Sequence, residues 1–492
     1  MKDNQIVEAP LVKLAVCLMA GIIAGQYLML SVPLLPVFTA VVAACLLLWR
    51  CPQWQSVMIS VGVVVLGMLL MQWQKERLHV EWPGGMVAYE AVVVSDPVEK
   101  PRTMAVDLLL TGNGQRIKGY MAKDRRSRAL HIGDGLKAMS VIQANREWRI
   151  GTFDYRRYLE IHGFTGSTYV SSRNWKKAQV SLARLSRLDR VRLSFLRQRS
   201  HLLERLRDGA DDLDAYAVVA AMTLGDKSAL TRDVKDVYSV TGGSHVLALS
   251  GLHLGIIYAL LSLLVVGRRW HAVSQLLLVV GIWAFVLLVG MPVSVVRSAV
   301  MLTVYALLSL GHRGRMSVNV LAFTAVILLM FSPLSLFDVG FQMSFMAVFS
   351  ILLWMPLADR VFSEAYLQRH RLVRWGWSMI AVSFAAQMGV APLVAYYFGR
   401  FSTYFLLTNF IVLPAASLIL YLTPVVMLVP SLAYLLLYIA GWLNRILAWV
   451  ASLPGASIDH LHPSVIQVTM AYVVIAALWL LVQRVGRIRR AA

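Results

Sequence analysis

The chain has 492 residues, 58% of them hydrophobic, and a mean hydropathy of +0.65. Apolar runs near the ~20 residues that cross a bilayer core recur along it, which excludes a soluble globular protein; because they are continuous rather than alternating, a transmembrane barrel is excluded too. Lys and Arg number 47 against 26 Asp and Glu, a net charge of +21, and the excess between Lys75 and Arg207 suits contact with nucleic acid, an acidic polymer or anionic lipid.

The first run, "LVKLAVCLMAGIIAGQYLML", is long enough to span. Asp3 and Glu8 precede it and a second apolar run follows, so it reads as a retained helix rather than a signal peptide. Cys17, Cys45 and Cys51 offer neither a disulfide framework nor metal-ligand spacing. Runs near 11–30, 34–49 and 57–71 form an N-terminal membrane region, residues 1–73. After a polar stretch, runs resume near 246–266, 272–290, 293–310, 318–331, 341–357, 379–398, 404–427, 432–449 and 466–482. About twelve spans are predicted in all.

Residues 74–180 read as strands, "MVAYEAVVVSD", "TMAVDLLLTG", "QRIKGYMA" and "GLKAMSVIQA", with Gly, Pro and Asn between them. Short strands at this spacing predict a small OB-like β-barrel. A helix follows in "FDYRRYLEIHG", started by Asp154 and stopped by Gly163. Residues 181–210 alternate Leu and Arg at helical spacing, a basic amphipathic helix suited to a membrane surface. The fold class is thus a polytopic α-helical membrane protein with an inserted extracytoplasmic OB-like domain and a second membrane domain, 211–492. Arg50, "GRRWH", "HRGR", "QRHRLVRW" and "RVGRIRR" alternate with turns free of Lys and Arg. By the loop-charge rule both termini are cytoplasmic and the polar stretch lies outside, since long domains translocate largely regardless of charge.

The richest polar stretch is "TGGSHVLALSGLHLGII". On a helix Ser250 and His253 share a face, and Gly251 and Gly255 stand four apart beside them. The glycines suit close helix packing. A Ser/His nucleophile lacks an orienting carboxylate and a strand–turn–helix elbow. A polar lining for an aqueous path is the remaining reading. Arg297 shares a helical face with Ser294, Ser298 and Met301, although it also lies within snorkelling reach of Pro292. Asp338 suits a helix cap. Gln342, Gln387 and Asn409 need partners inside a bundle or water in a cavity. In the outer region Arg146, Trp148, Arg149, Tyr155, Arg156, Arg157, Trp175 and Lys176 interleave cations with aromatics, the pattern that holds a single strand by charge and stacking. The plainer reading of the same residues is core aromatics plus arginines meeting lipid phosphate.

"AAMTLGDKSALTRDVKDVYSVTGGSHVLALSGLHLGII", "MPVSVVRSAVM", "FDVGFQMSFMAV" and "GVAPLVAYYFGRFSTYFLLTNFIVLP", in that order, resemble the blocks of the ComEC family, the membrane channel for DNA uptake in natural transformation. "GTFDYRRYLEIHGFTGS" resembles the element closing that family's OB-like domain. The resemblance implies an inner-membrane channel for single-stranded DNA rather than an enzyme, with no cofactor and no metal site. Many members of the family carry a C-terminal metallo-β-lactamase-like domain. Here "RVGRIRRAA" closes the sequence with no HxHxDH-type cluster, and Asp459, His460 and His462 in one turn are no two-metal site. No GxxxxGK[ST] phosphate loop is present. The expected partners are therefore single-stranded DNA, a separate nuclease, receptor and motor, and the lipid bilayer. A transporter of another anionic substrate and a membrane-embedded Ser/His hydrolase are the rival readings.

Overall fold

Three apolar helices open the chain: α1 (Pro10–Tyr27), α2 (Leu34–Leu47) and α3 (Pro52–Leu78). Gly21 of α1 and Gly67 of α3 let two of these backbones touch. A Cβ at Gly21 would lie 2.0 Å from the Val64 carbonyl oxygen, and one at Gly67 2.6 Å from that of Leu18. In lipid, where apolar side chains gain nothing by leaving solvent, such close approach is what holds helices together. The computed structural model describes residues 10–28, 33–145, 149–150, 153–183, 185–208, 210–264, 271–310 and 317–491. It divides the chain into two units: Met1–His201 with Trp283–Val293 and Val318–Asp338, and Leu202–Ile282 with Ser294–Ser317 and Val339–Ala492.

In the first unit α3 leads to β1 (Val87–Val93), β2 (Val98–Glu99), β3 (Thr103–Leu110), β4 (Arg116–Ala122), a one-turn α4 (Arg125–Arg128), β5 (Gly135–Ser140) and β6 (Ile142–Gln143). Then come β7 (Arg149–Ile150), β8 (Phe153–Asp154), α5 (Tyr155–Ile161), β9 (Phe164–Val170), β10 (Trp175–Lys177) and α6 (Arg187–Arg207). The sheet runs β10-β5-β1-β3-β4-β9-β6, with β2 on β3. The four expected strands correspond to β1, β3, β4 and β5. The expected helix is α5, with Asp154 accepting from the Arg157 N–H at 3.1 Å and Gly163 at φ +76° beyond its end. β9 is a further strand that the sequence pattern does not mark; it pairs parallel to β4, from Ile117 opposite Gly166 to Met121 opposite Val170. Strand alternation sorts β4 cleanly. Ile117, Gly119 and Met121 are buried, whereas Arg116, Lys118 and Tyr120 face the other way.

The helix expected on a membrane surface is α6, and the structure corrects its setting. Leu193, with Leu185 just before the helix, is buried on Val92 of β1 and Leu109 of β3. Leu196 is buried as well, with its Cδ2 only 2.8 Å from where a Gly290 Cβ would be. Much of the apolar stripe is thus covered by protein, whereas Leu188 and Val191 at the start of the helix stay exposed. The sequence could not choose, because leucines at helical spacing serve either surface.

The remaining helices are α7 (Leu213–Thr223), α8 (Arg232–Val240), α9 (Ser244–Leu247), α10 (Gly251–Leu264), α11 (His271–Leu288), α12 (Val293–Leu310), α13 (Val318–Phe331), α14 (Val339–Ala358), α15 (Glu364–Arg369), α16 (Arg371–Phe398), α17 (Phe405–Leu428), α18 (Ala433–Ala451) and α19 (Val465–Ala491). Seven helices among the described residues are long and apolar enough to cross a membrane: α1, α3, α14, α16, α17, α18 and α19. The other predicted spans correspond to α2, α10, α11, α12 and α13, apolar but shorter over the residues whose side chains are described. This is a multi-pass membrane protein. The loops "GRRWH" and "HRGR" lie mostly outside the described residues. One buried helix has no counterpart among the predicted spans: α7 has only 11 residues, and Ala215 through Thr223 are all buried. A run that short carries no spanning signal.

Candidate functional site

The polar stretch singled out in the sequence is a broken helix. After α8, Gly242 turns at φ +80°, where a Cβ would lie 3.0 Å from that of Ser402. α9 lasts a single turn, and Ala248 is extended with ψ 124°. The continuous span expected from Val246 is therefore replaced by a fresh helix start at Gly251. Ser250 stands immediately before it. Its N–H donates to His253 Nδ1 at 3.3 Å, and its Oγ lies 3.1 Å from the same nitrogen. A ring nitrogen that accepts from an amide carries no proton, so the neutral imidazole holds its proton on Nε2 and the serine hydroxyl donates. The bond to the Ser250 N–H is half of a capping box, with histidine in the place of glutamate.

His253 is 1% exposed, and its Nε2 has no hydrogen-bond partner among the described residues. The nitrogen facing the serine is Nδ1, and no carboxylate among the described residues holds the far side of the ring. The start of α12 is bonded to the same place. Ser294 Oγ donates to the Leu249 carbonyl at 2.8 Å, and Ser298 Oγ to Ser294 O at 3.1 Å. Arg297, between them in sequence, is 4% exposed. Burial at that level replaces the snorkelling reading. Gly251 faces Ser298, whose Oγ would lie 2.8 Å from an added Cβ, whereas Gly255 has open space at that position. The expectation that both glycines pack is corrected at Gly255.

Further along, the embedded polar groups largely find one another. The Tyr397 hydroxyl donates to Gln342 Oε1 at 2.7 Å, tying α16 to α14. Asn409 Nδ2 donates to Ser383 Oγ at 3.1 Å, tying α17 to α16. Gln387 is half-buried on α16. Asp338 is the residue before α14, where a cap belongs. Gly389 carries no signal in the sequence, yet a Cβ there would lie 2.4 Å from the Met346 carbonyl oxygen. Asp459 is engaged by Arg400, which also holds Asp236 at 2.8 Å.

In the sheet region Arg146 and Trp148 lie outside the described residues, and so does the side chain of Arg149, which sits on β7. Arg156 pairs with Glu160 at 2.8 Å. Arg157 lays its guanidinium over the Phe337 ring, 5.2 Å from the centroid. The Tyr155 hydroxyl bonds that of Tyr120 at 2.8 Å, and burial raises its pKa. Trp175 is the clear correction: it is 5% exposed and belongs to the core of the sheet. Opposite Ala138 in the register of β5, it packs in that core while also lining the groove beside Lys176. Lys176 is exposed and borders a groove of about 810 Å³ whose rim includes Lys137, Arg173, Trp82 and Tyr89. Lys137 is paired with Glu90 at 2.7 Å. Arg173 and Tyr89 escape the sequence reading; Tyr89 lies far from the run in sequence.

The competence-protein family model matches residues 222–485, more than half of the chain. The chain belongs to the competence-protein family. It is 26% identical over 344 residues to ComE operon protein 3 of Bacillus subtilis, a match covering 68% of this chain and 42% of that protein. It is 23% identical over 286 residues to Recombination protein 2 of Haemophilus influenzae, covering 55% and 33%. Competence protein ComA of Neisseria gonorrhoeae is 27% identical over 255 residues, covering 48% and 34%. The chain spans less than half the length of each of these relatives. No solved structure matches it. The family match encloses Ser250, Gly251, His253, Gly255, Arg297, Asp338, Gln342, Gln387 and Asn409 and excludes the sheet. The resemblance to ComEC read in the sequence is upheld.

Proposed function

We propose that this protein carries single-stranded DNA across the inner membrane during natural transformation, as a path rather than a catalyst. The observation that carries the reading is the polar seam at the starts of α10 and α12, buried His253 and Arg297 with half-buried Ser250, Ser294 and Ser298, inside the segment matched by the competence family. A strand with one charge per phosphate needs polar contacts and a wet route through lipid. The sheet, as an OB-like module outside the membrane, receives the strand along the groove beside Arg173, Lys176 and Tyr89, with little sequence preference. Both termini lie in the cytoplasm by the alternation of basic loops. A separate nuclease, receptor and motor act with it.

The test follows labelled DNA to the cell surface and to the cytoplasm separately, normalised to membrane protein level. Ser250→Ala leaves most arrival intact, since one hydroxyl contributes about 1 kcal/mol. His253→Leu stops arrival while surface DNA persists. Normal arrival with His253→Leu removes the seam from the path. Total loss with Ser250→Ala would instead favour the hydrolase, and uptake of a small anion without DNA the transporter.

A further inference from the structure

Arg116 ends the outward face of β4 and lies opposite Leu109 in the register with β3. Leu109 packs with Val92 and with Leu193 of α6, so Arg116 lies on the flank of α6 where Arg192 precedes Leu193. Among the described residues Arg192 makes one hydrogen bond, from Nη2 to the Gly290 carbonyl at 2.7 Å. Its Nε is buried with no partner among the described residues. The Arg116 guanidinium lies over the Phe164 ring, 5.2 Å from the centroid, and has no hydrogen bond or ion pair among the described residues.

The nearby acids, Asp107 and Asp189, act on both arginines only through space and make no ion pair with either among the described residues. Asp107 holds Lys118, and Asp189 accepts from Ser186 at 2.6 Å. Burial lowers the pKa of both arginines. For Arg192 the charge on Arg116 adds to that, bringing it to about 10, and it remains charged at neutral pH. Two neighbouring half-buried cations with nearly all their N–H donors unused form an arrangement that an anion completes.

Position indicates which anion. Gly290 lies in the turn between the apolar helices α11 and α12, so Arg192 reaches the place where apolar helices end, the level of lipid headgroups. One turn back on α6, Leu188 is 79% and Val191 45% exposed, with Leu188 on the same face as Arg192 by its spacing and Val191 beside it. Exposed aliphatics beside an unused guanidinium fork suit acyl chain and phosphate together. We propose that Arg116 and Arg192 hold the headgroup phosphate of an anionic phospholipid, with Leu188 and Val191 against its acyl chain. The site requires nothing of the strand path proposed above.

Full-length protein stripped of lipid in detergent is offered phosphatidylglycerol or phosphatidylcholine at equal mole fraction. Retained lipid is read by native mass spectrometry and the unfolding midpoint by a thermal ramp. Phosphatidylglycerol is retained about tenfold better, and Arg116→Gln or Arg192→Gln removes the preference. Arg116→Gln breaks no side-chain hydrogen bond among the described residues and loses only the contact with the Phe164 ring, so its lipid-free midpoint stays close to the wild-type value. That separates a lost ligand from a lost fold. Equal retention of the two lipids overturns the proposal, as does a preference that survives Arg116→Gln. A midpoint raised equally by inorganic phosphate reassigns the site to a free anion, and displacement of phosphatidylglycerol by an oligonucleotide reassigns it to the strand. Either result overturns the lipid assignment.

Discussion

Trp175→Ala separates packing from ligand contact in the sheet. The ring is 5% exposed and surrounded by Leu136, Ala138 and other members of the sheet core. Burying a side chain of this size removes about 200 Å² from water, or about 5 kcal/mol at the usual coefficient. Large-to-small truncations of buried aromatics measure about 3–5 kcal/mol, a large share of the stability of a small module. The indole Nε1 has no hydrogen-bond partner among the described residues. Trp175→Phe therefore loses area but no bond, and should cost about 1–2 kcal/mol. Pulse proteolysis in urea on the full-length protein, following cleavage within residues 79–180, reads both variants. The alanine variant should lose protection at much lower urea than the phenylalanine variant. Wild-type protection of Trp175→Ala together with abolished oligonucleotide binding would refute the argument and return the ring to the ligand.

Gly255→Ala, with open space at its Cβ, should leave the amount of folded protein unchanged, whereas Gly67→Leu should strongly reduce it because Leu18 backbone blocks the side chain; fluorescence-detected size exclusion distinguishes the two. Arg173→Gln with Lys176→Gln should lower the salt slope of oligonucleotide binding by up to about one for each phosphate no longer neutralised, as read by anisotropy across a salt series. A cysteine at Asn113, an exposed residue, should react with an impermeant thiol reagent in intact cells once Cys17, Cys45 and Cys51 are replaced. Labelling only after lysis would invert the orientation.

Local chemistry made part of the fold legible. Asp154 and Gly163 bound α5 because a cap and a left-handed stop act within one turn, and runs separated by Gly, Pro and Asn marked β1, β3, β4 and β5. β9 stays hidden because "FTGSTYV" is mostly small and polar; it becomes a strand by pairing with β4, which no local pattern records. Ser250 and His253 do stand three apart on one turn, as their spacing predicts. Their role as the start of a helix depends on Ala248 leaving the helix, and Ser294 reaches Leu249 from 45 residues away. Trp175 is ambiguous in sequence because an aromatic beside lysines looks the same whether it packs or stacks; its register partner Ala138 decides. Tyr238, which donates to Asn444 Oδ1 at 2.9 Å across 206 residues, is the same kind of fact.

The parallel pairing of β4 with β9 also sets an order of assembly. β1, β3 and β4 can form as a meander from neighbouring sequence, with loops short enough to close quickly. β9 cannot join until the segment from Lys123 to Gly163 has emerged and α5 has turned the chain back, and β10 must then travel to the opposite edge to reach β5. A chain halted before Phe164 would present β4 as an open edge, ready to pair with another copy. During biogenesis the vulnerable interval is therefore the passage of about forty residues between the two strands.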